Sequence, residues 1–570
     1  MRYIKLAELY KEISSTTKRL EKIKILSKFL ELLPEQDKDV LYLLLGSIYP
    51  EYDERKIGIS NQLAIKAISS ATGTSKENII KDWKKIGDIG EIAENCTNKK
   101  KQSTLSSQIL TTEKVIENLR KLPELAGKGT VPKKISLITE LLTSAEPLEA
   151  KFLVRTLIGD LRIGIQEATI REAMAKAFFK ADKIASEKIQ KAIDKTNDLS
   201  SVFILARKQK LKELEKLNLE IGKPIKAMLA QKAKDFEDGF KSVGTPCAIE
   251  YKYDGFRLII HKDKKGYKLF TRRLENVTKQ FPEVVEYLDK YVKGDSYIID
   301  SEAVGYDKKT KQYTQFQKIS QRIRRKYDIE KMAKELPVEI NIFDIIYYKG
   351  KSLLDEPFKK RSAILDKIIA QKKYKIIRAK QIITSNTKKA EKFYKQALKE
   401  NQEGVMLKNL DSGYNPGSRV GHMLKIKPSE KDLDLVITGA EYGKGKRSGW
   451  MSSFILSCLG KNKGEYLEIG KMGTGISEKE SEGKTTFEQL SKMLAPLITK
   501  EKGKTVQVKP KIIVAVTYQE IQRSPNYKSG FALRFPRLLI LRNDKPLSEI
   551  TTIKEIEKDF ENQKRNWKYG

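Results

Sequence analysis

Near residue 220 the hydrophobic pattern of this chain changes period, and one kind of secondary structure cannot satisfy both parts. Up to about residue 215, apolar residues recur at helical spacing, as at Leu20, Ile23, Leu26 and Phe29-Leu30, with no sustained alternation. From about 222 onward, short apolar and β-branched runs alternate with helix-period segments, the pattern of a domain built on a real sheet. At 570 residues the chain also exceeds what one core can hold, since a domain takes on the order of 150 residues. A multidomain protein is expected, with an all-α domain over 1–220, an α+β domain over 221–430 and a smaller β domain over 431–570.

The boundaries rest on local chemistry. Ile221-Gly222-Lys223-Pro224-Ile225 follows a charged helix with Gly and Pro punctuation, which ends helices. Residues 431–570 carry short strands separated by basic, glycine-rich turns such as Tyr442-Gly443-Lys444-Gly445-Lys446-Arg447-Ser448-Gly449. That spacing predicts a small β-barrel of the OB-fold type, closed by a short helix near Ile553 to Phe560. Within the first domain, the polar stretch 99–108 reads as an exposed loop. Arg155 to Gly164 mixes arginines with small residues, which either lets a backbone approach a phosphate chain or spaces glycines for helix packing.

Lys+Arg 112 against Asp+Glu 75 leaves a net charge of +37. A field of that sign gathers polyanions, and nucleic acid is the first candidate partner. No run approaches the ~18 apolar residues of a membrane span, and the N-terminus enters an amphipathic helix directly, so an intracellular protein is expected. Cys96, Cys247 and Cys458 are too scattered for a disulfide framework or a four-cysteine zinc site.

The chemistry concentrates in the middle domain. Glu250-Tyr251-Lys252-Tyr253-Asp254-Gly255-Phe256-Arg257 lies between Cys247-Ala248-Ile249 and Leu258-Ile259-Ile260, which reads as one buried strand, a turn or bulge at Gly255, and its continuation. Alternate strand residues share a face, so Glu250 and Lys252 point into one pocket. A lysine crowded by other cations loses proton affinity and becomes a nucleophile toward phosphorus. Further along come a strand ending in Asp300-Ser301-Glu302, a strand Ile340 to Tyr347 containing Phe343-Asp344, the segment Glu403-Gly404-Val405-Met406-Leu407-Lys408, and Met423-Leu424-Lys425-Ile426-Lys427, in which Lys425 and Lys427 share a face.

Taken in order, and closed by Ala532-Leu533-Arg534-Phe535-Pro536-Arg537, these segments resemble the motif series of the covalent nucleotidyltransferases, in the form found in DNA ligases. The helical front half, with Leu161-Arg162-Ile163-Gly164, is similar to the DNA-binding domain of archaeal and eukaryotic ATP-dependent DNA ligases. The resemblance implies an all-α DNA-binding domain, an α+β adenylation domain and an OB-fold domain. It implies ATP and Mg²⁺ as cofactors, and nicked double-stranded DNA, in replication, repair and recombination, as partner of a monomeric enzyme near the nucleoid.

Residue by residue, the resemblance makes Lys252 the catalytic nucleophile that carries AMP. Lys425 and Lys427 are the cations that crowd it and neutralise phosphate charge. Glu302 and Glu403 are the carboxylates for Mg²⁺, with the ribose hydroxyls as a second role for Glu302. Phe343 stacks on adenine, Glu250 meets the adenine edge, and Arg257, Arg272 and Arg419 complete the nucleotide and 5′-phosphate pocket. Arg534 and Arg537 reach the β- and γ-phosphates when their domain closes. A capping-type guanylyltransferase or an RNA ligase shares the lysine motif but not the helical front domain or the Arg534 to Arg537 form. Relatives often carry a sliding-clamp contact of glutamine followed by two aromatics; here Gln102-Ser103-Thr104-Leu105 lacks the rings, so clamp binding is not expected through that stretch.

Overall fold

In a computed structural model of the chain, the described residues are 1–100, 109–125, 127, 129–314, 316–323, 325, 327–417, 419–428, 432–443, 447, 449–462, 464–480 and 484–568, with the side chains of 84, 316–318, 419 and 563–568 also left aside. They form two compact units: one contains residues 1–85 and 89–426, the other residues 427 onward together with the segment 86–88.

Thirteen α-helices among the described residues span Tyr3 to Lys216, and the switch to strands follows where the period changes. Their apolar faces meet in one core that includes Tyr3, Leu6, Tyr10, Leu26, Leu153 and Phe203, all essentially without solvent exposure. Each such side chain contributes about 1.5–3 kcal/mol relative to an exposed one. Gly159 and Gly164 sit not in a helix but in the loop after the helix Pro147–Leu157, both with positive φ. The glycines therefore serve a turn and not helix packing. Lys22 Nζ donates to the Ile163 and Gly164 carbonyls at 2.5 and 3.2 Å and braces that loop from beneath.

The β region of the first unit holds two sheets, which no sequence pattern separated. One has strand order β1-β11-β10-β2-β9, built from β1 (Leu229–Lys232), β2 (Cys247–Lys252), β9 (Gln381–Thr384), β10 (Gly404–Asn409) and β11 (Arg419–Ile426). The other runs β4-β3-β5-β6-β7, from β3 (Phe256–Asp263), β4 (Gly266–Thr271), β5 (Tyr297–Gly305), β6 (Val338–Tyr348) and β7 (Lys351–Ser352), with β8 (Ile376–Arg378) parallel to β6. The expectation of one strand continued past Gly255 is corrected: β2 and β3 belong to different sheets, and Gly255 is where the chain crosses between them. A Cβ there would collide with the Ala303 carbonyl oxygen and approach Glu302 Cγ to 2.9 Å, so only glycine lets β3 pack this close to β5.

Three apolar layers hold these sheets. Cys247, Ile249, Val405, Leu407 and Leu424 on one face of the first sheet pack on the helices Phe236–Val243 and Thr387–Lys399. Leu258, Ile260, Ile299 and Ile345 of the second sheet pack on the helices Pro282–Tyr291 and Phe358–Ile368. Between the sheets lie Met228, Ile259, Ile298, Ile346, Tyr414 and Met423. The faces turned toward this middle layer carry the polar residues singled out above. The helical region abuts the same unit through Lys226, whose Nζ is 2.8 Å from Glu167, and through Asn197, which donates to the Pro224 carbonyl at 2.8 Å.

The second unit centres on a seven-stranded sheet made from β12 (Asp432–Tyr442), β13 (Met451–Leu459), β14 (Tyr466–Met472), β15 (Ile498–Lys502), β16 (Thr505–Val508), β17 (Ile513–Thr517) and β20 (Arg537–Leu541). The long β12 pairs with β13 along one edge, and its other edge is divided between β16 and β17. β18 (Glu520–Arg523) and β19 (Phe531–Arg534) form a separate hairpin. The last helix, expected near Ile553 to Phe560, continues to Lys568, because Glu, Lys, Gln and Asn follow Phe560 with no glycine or proline to stop it. All three cysteines are buried and unpaired. Among the described residues, no helix is long and apolar enough to cross a membrane.

Candidate active site

Strand register places the candidate groups. β2 lies antiparallel to β10, with Ala248, Glu250 and Lys252 opposite Lys408, Met406 and Gly404. β10 in turn sets Met406 opposite Lys425 of β11. Directly opposed residues share a face, so Glu250, Lys252, Lys408 and Lys425 all stand on the face turned from the Phe236–Val243 and Thr387–Lys399 helices. Lys427, expected on the same strand face, lies past the strand's last residue, Ile426, and falls in the second unit.

Lys252 Nζ is 2.8 Å from a Glu403 carboxylate oxygen, both side chains being about one-fifth exposed. The Glu403 amide donates to the Lys252 carbonyl at 2.8 Å, and the Asp254 amide donates to Gln402 Oε1 at 3.2 Å. The backbone on both sides of the amine is thereby tied to one short loop. Glu302, opposite Arg257 in the β3/β5 pair, has its carboxyl pushed up to about 8 by burial, with Glu403 and Asp300 adding to the rise while Lys252 and Arg257 oppose it. Two glutamates and an ammonium therefore meet at one spot, and the carboxylates there carry more negative charge than their surroundings solvate.

Phe343 reaches the cleft because of a bulge. In the β5/β6 pairing Asp300 faces Asp344 and Ser301 faces Ile342, so the register steps over Phe343. A bulge re-aims its side chain, and the Phe343 ring lies 4.8 Å from Lys408 Nζ and 5.4 Å from the Arg257 guanidinium. Simple alternation along Ile340 to Tyr347 could not have found this.

Arg257 is engaged by the protein itself. Its Nε donates to Asp300 at 2.8 Å, Nη1 to the Met228 carbonyl at 2.7 Å and Nη2 to Tyr414 Oη at 3.2 Å. Tyr414 Oη donates to Asp300 at 2.7 Å and accepts from the Met228 amide at 3.1 Å. The ion pair with Asp300 raises the Arg257 pKa against the opposing effect of burial, so the guanidinium stays charged. Tyr414 had no local signal in the sequence, whereas Asp300 stood visibly two residues from Glu302.

Arg272 is exposed in the turn after β4. Arg419 opens β11, opposite Leu229, and its side chain lies outside the described residues. In the second unit, Arg534 Nη1 is 3.0 Å from Glu520, and Arg537 is exposed at the start of β20. The sliding-clamp stretch Gln102 to Leu105 lies outside the described residues. The sequence reading passed over Lys408 and Gln381: Lys408 Nζ is 2.6 Å from Glu250 Oε2, and Gln381 Nε2 donates to Glu250 Oε1 at 2.7 Å. Parity along Gly404, Met406 and Lys408 would have put Lys408 on the Lys252 face.

An amine beside two carboxylates, at the end of β2 where the chain passes from one sheet to the other, is an arrangement suited to group transfer. Comparison with known proteins narrows the class. Residues 2–175 match the family model described as DNA ligase N terminus, residues 227–427 that of the ATP dependent DNA ligase domain, and residues 447–545 that of the ATP dependent DNA ligase C terminal region. The chain is 45% identical to a DNA ligase of Nanoarchaeum equitans and 39% identical to one of Thermococcus onnurineus, in each case over 99% of both chains. A solved structure titled Pmar-Lig_Pre aligns over 94% of this chain and 99% of its own with a TM-score of 0.56 at 17% identity, a likeness of fold. The chain belongs to the ATP-dependent DNA ligases of the nucleotidyltransferase superfamily. Its helical N-terminal, adenylation and C-terminal domains are those of the family, its nucleotide is ATP, and Mg²⁺ is the usual metal of its reaction.

Proposed function

We propose that this enzyme seals nicks in duplex DNA through AMP carried on Lys252, and that the domains divide at 1–220, 221–430 and 431–570. The single observation behind the assignment is the position of Lys252 Nζ, 2.8 Å from Glu403 and beside Glu302 on the cleft face. The deprotonated amine uses its lone pair to form a bond to the α-phosphorus of ATP, the bond from that phosphorus to pyrophosphate breaks, and the amine's proton passes to solvent. AMP then passes to the 5′-phosphate at the nick, and attack by the 3′-hydroxyl on that phosphate joins the strand and releases AMP.

Glu302 and Glu403 suit Mg²⁺. Hard carboxylate oxygens are its preferred ligands, and it binds through one or two carboxylates with substrate phosphates filling the rest. Among the described residues no group of three or more His, Cys, Asp or Glu could form an all-protein cage. Burial of the Glu302 carboxyl, with Glu403 adding to it, disfavours a second negative charge there, and a bound cation would relieve that. When bound, the ion would offset charge on the phosphate oxygens. Glu403 otherwise holds the Lys252 ammonium, and Glu302 retains the ribose hydroxyls as a second partner.

Phe343 would stack on adenine and Glu250 would meet its edge. Arg257, tied to Asp300 and Tyr414, would set the position of Phe343 and the pocket wall. Arg272, Arg419, Lys425 and Lys427 would supply phosphate contacts, and Arg534 and Arg537 would orient pyrophosphate from the C-terminal domain, whose divided β12 edge supports an OB-type barrel. The helical domain would grip duplex on both sides of the nick through phosphate contacts in a monomeric enzyme at the nucleoid.

Incubation with α-labelled ATP and Mg²⁺ tests the assignment. Acid-labile label on the protein, lost in Lys252→Ala and chased onto nicked duplex, is the expected result; equal labelling of Lys252→Ala overturns it.

A further inference from the structure

The ammonium of Lys408 does more than pair with Glu250. It donates to Glu250 Oε2 at 2.6 Å and to the Phe343 carbonyl at 3.2 Å, and it lies 4.8 Å from the Phe343 ring and 4.5 Å from that of Phe358. The side chains of Lys408 and Glu250 are only 6% and 3% exposed. Gln381, opposite Glu250 in the β2/β9 pair, donates to the other carboxylate oxygen at 2.7 Å. One buried cation therefore grips both the carboxylate assigned to the base edge and the backbone of the ring assigned to the base face, while an amide fixes the carboxylate's second oxygen.

We propose that Lys408, with Gln381, sets the preference of this ligase for adenine over guanine nucleotides by locking Glu250 as a hydrogen-bond acceptor beside Phe343. The inference rests on Glu250 contacting the base edge. Adenine offers an amino donor at its 6-position where guanine offers a carbonyl oxygen. A carboxylate that already accepts one bond on each oxygen has only further lone pairs to present, so it binds the amine and opposes the carbonyl. Away from water the mismatch leaves two acceptors face to face with nothing to satisfy them. Freed of Lys408, Glu250 becomes a buried acid without a counter-charge; such a group takes up a proton or rotates away. A protonated carboxyl can donate to guanine's oxygen. Lys408 and Gln381 are positioning residues, since each acts through Glu250.

The test compares kcat/KM for self-labelling of the full-length enzyme by α-labelled ATP and α-labelled GTP with Mg²⁺. Lys408→Met and Gln381→Leu are expected to lower the ATP:GTP ratio roughly tenfold or more, mainly through a higher KM for ATP, and Lys408→Arg to restore most of it. A merely structural role would lower both nucleotides together and leave the ratio alone. If Glu250→Ala lowers the ratio while Lys408→Met and Gln381→Leu leave it unchanged, the proposal is overturned and the base-edge role survives. If Glu250→Ala leaves the ratio unchanged, the base-edge role falls and takes the proposal with it. Should Lys408→Met fail to fold, Gln381→Leu decides by the same ratio.

Discussion

Two lysine–glutamate pairs join β2 to β10 and to the residue just before it, and they differ in almost everything except chemistry. Lys408–Glu250 is nearly sealed, with its second carboxylate oxygen taken by Gln381. Lys252–Glu403 lies at the end of β2, where the chain crosses between sheets, with Glu403 just before the first residue of β10, and is about one-fifth exposed. A sealed pair keeps one arrangement, because breaking it strands a charge out of water. An open pair can exchange its partner, which an amine that must lose a proton and gain a phosphate requires. On the proposed reading, burial divides the labour: the sealed pair would shape the pocket and the open pair would react.

The largest effect that would sharpen this contrast is on Lys252. Lys252→Ala is expected to reduce self-labelling by at least about a thousandfold, while thermal melting changes by no more than about 1 kcal/mol. Next comes the sealed pair, for which Lys408→Met is expected to lower stability in denaturant titration by about 3–5 kcal/mol. If instead Lys252→Ala proves the more destabilising change, the division between reacting and shaping pairs is broken.

Glu403→Gln should reduce self-labelling about a hundredfold and shift the Mg²⁺ dependence of labelling to higher concentration, with melting almost unaffected. The smallest effect belongs to Glu302, which as a residue is only half-buried, so solvent screening limits it. Its carboxyl is raised from 4.5 to about 8, so the folded protein binds the proton more tightly than the unfolded chain does. Its favourable contribution is therefore full below about pH 4.5 and is lost as pH rises through about 8. Metal-free wild-type protein should lose melting temperature across that window, and Glu302→Gln should flatten the slope. A slope of opposite sign would contradict the burial that raises the Glu302 carboxyl.

What could be read in advance follows a pattern. Helical period over the first 215 residues, β-runs after 222 and the parity of Glu250 with Lys252 are local properties, written within a few residues of one another, and they placed these segments. Lys252 and Glu403 were each singled out from their motifs, Glu403 as a metal carboxylate, but their ion pair was not expected. Neither was the sealed pair, although parity along β10 put Lys408 on the right face. Lys408 and Gln381 reach Glu250 only through strand pairings that join segments more than a hundred residues apart, and a lysine or glutamine in a strand carries no mark of its neighbour.

Sequence by itself determined the order of the helical and β regions and the strand face on which Lys252 stands, because period and parity follow from backbone geometry alone. Only the tertiary structure decided that β2 and β3 part into two sheets at Gly255, that a bulge turns Phe343 into the cleft, that Arg257 is held by Asp300 and Tyr414, and which glutamate is sealed and which left open. The reason is that burial is a property of what the rest of the chain brings alongside, and the charge state and partner of a carboxylate depend on burial.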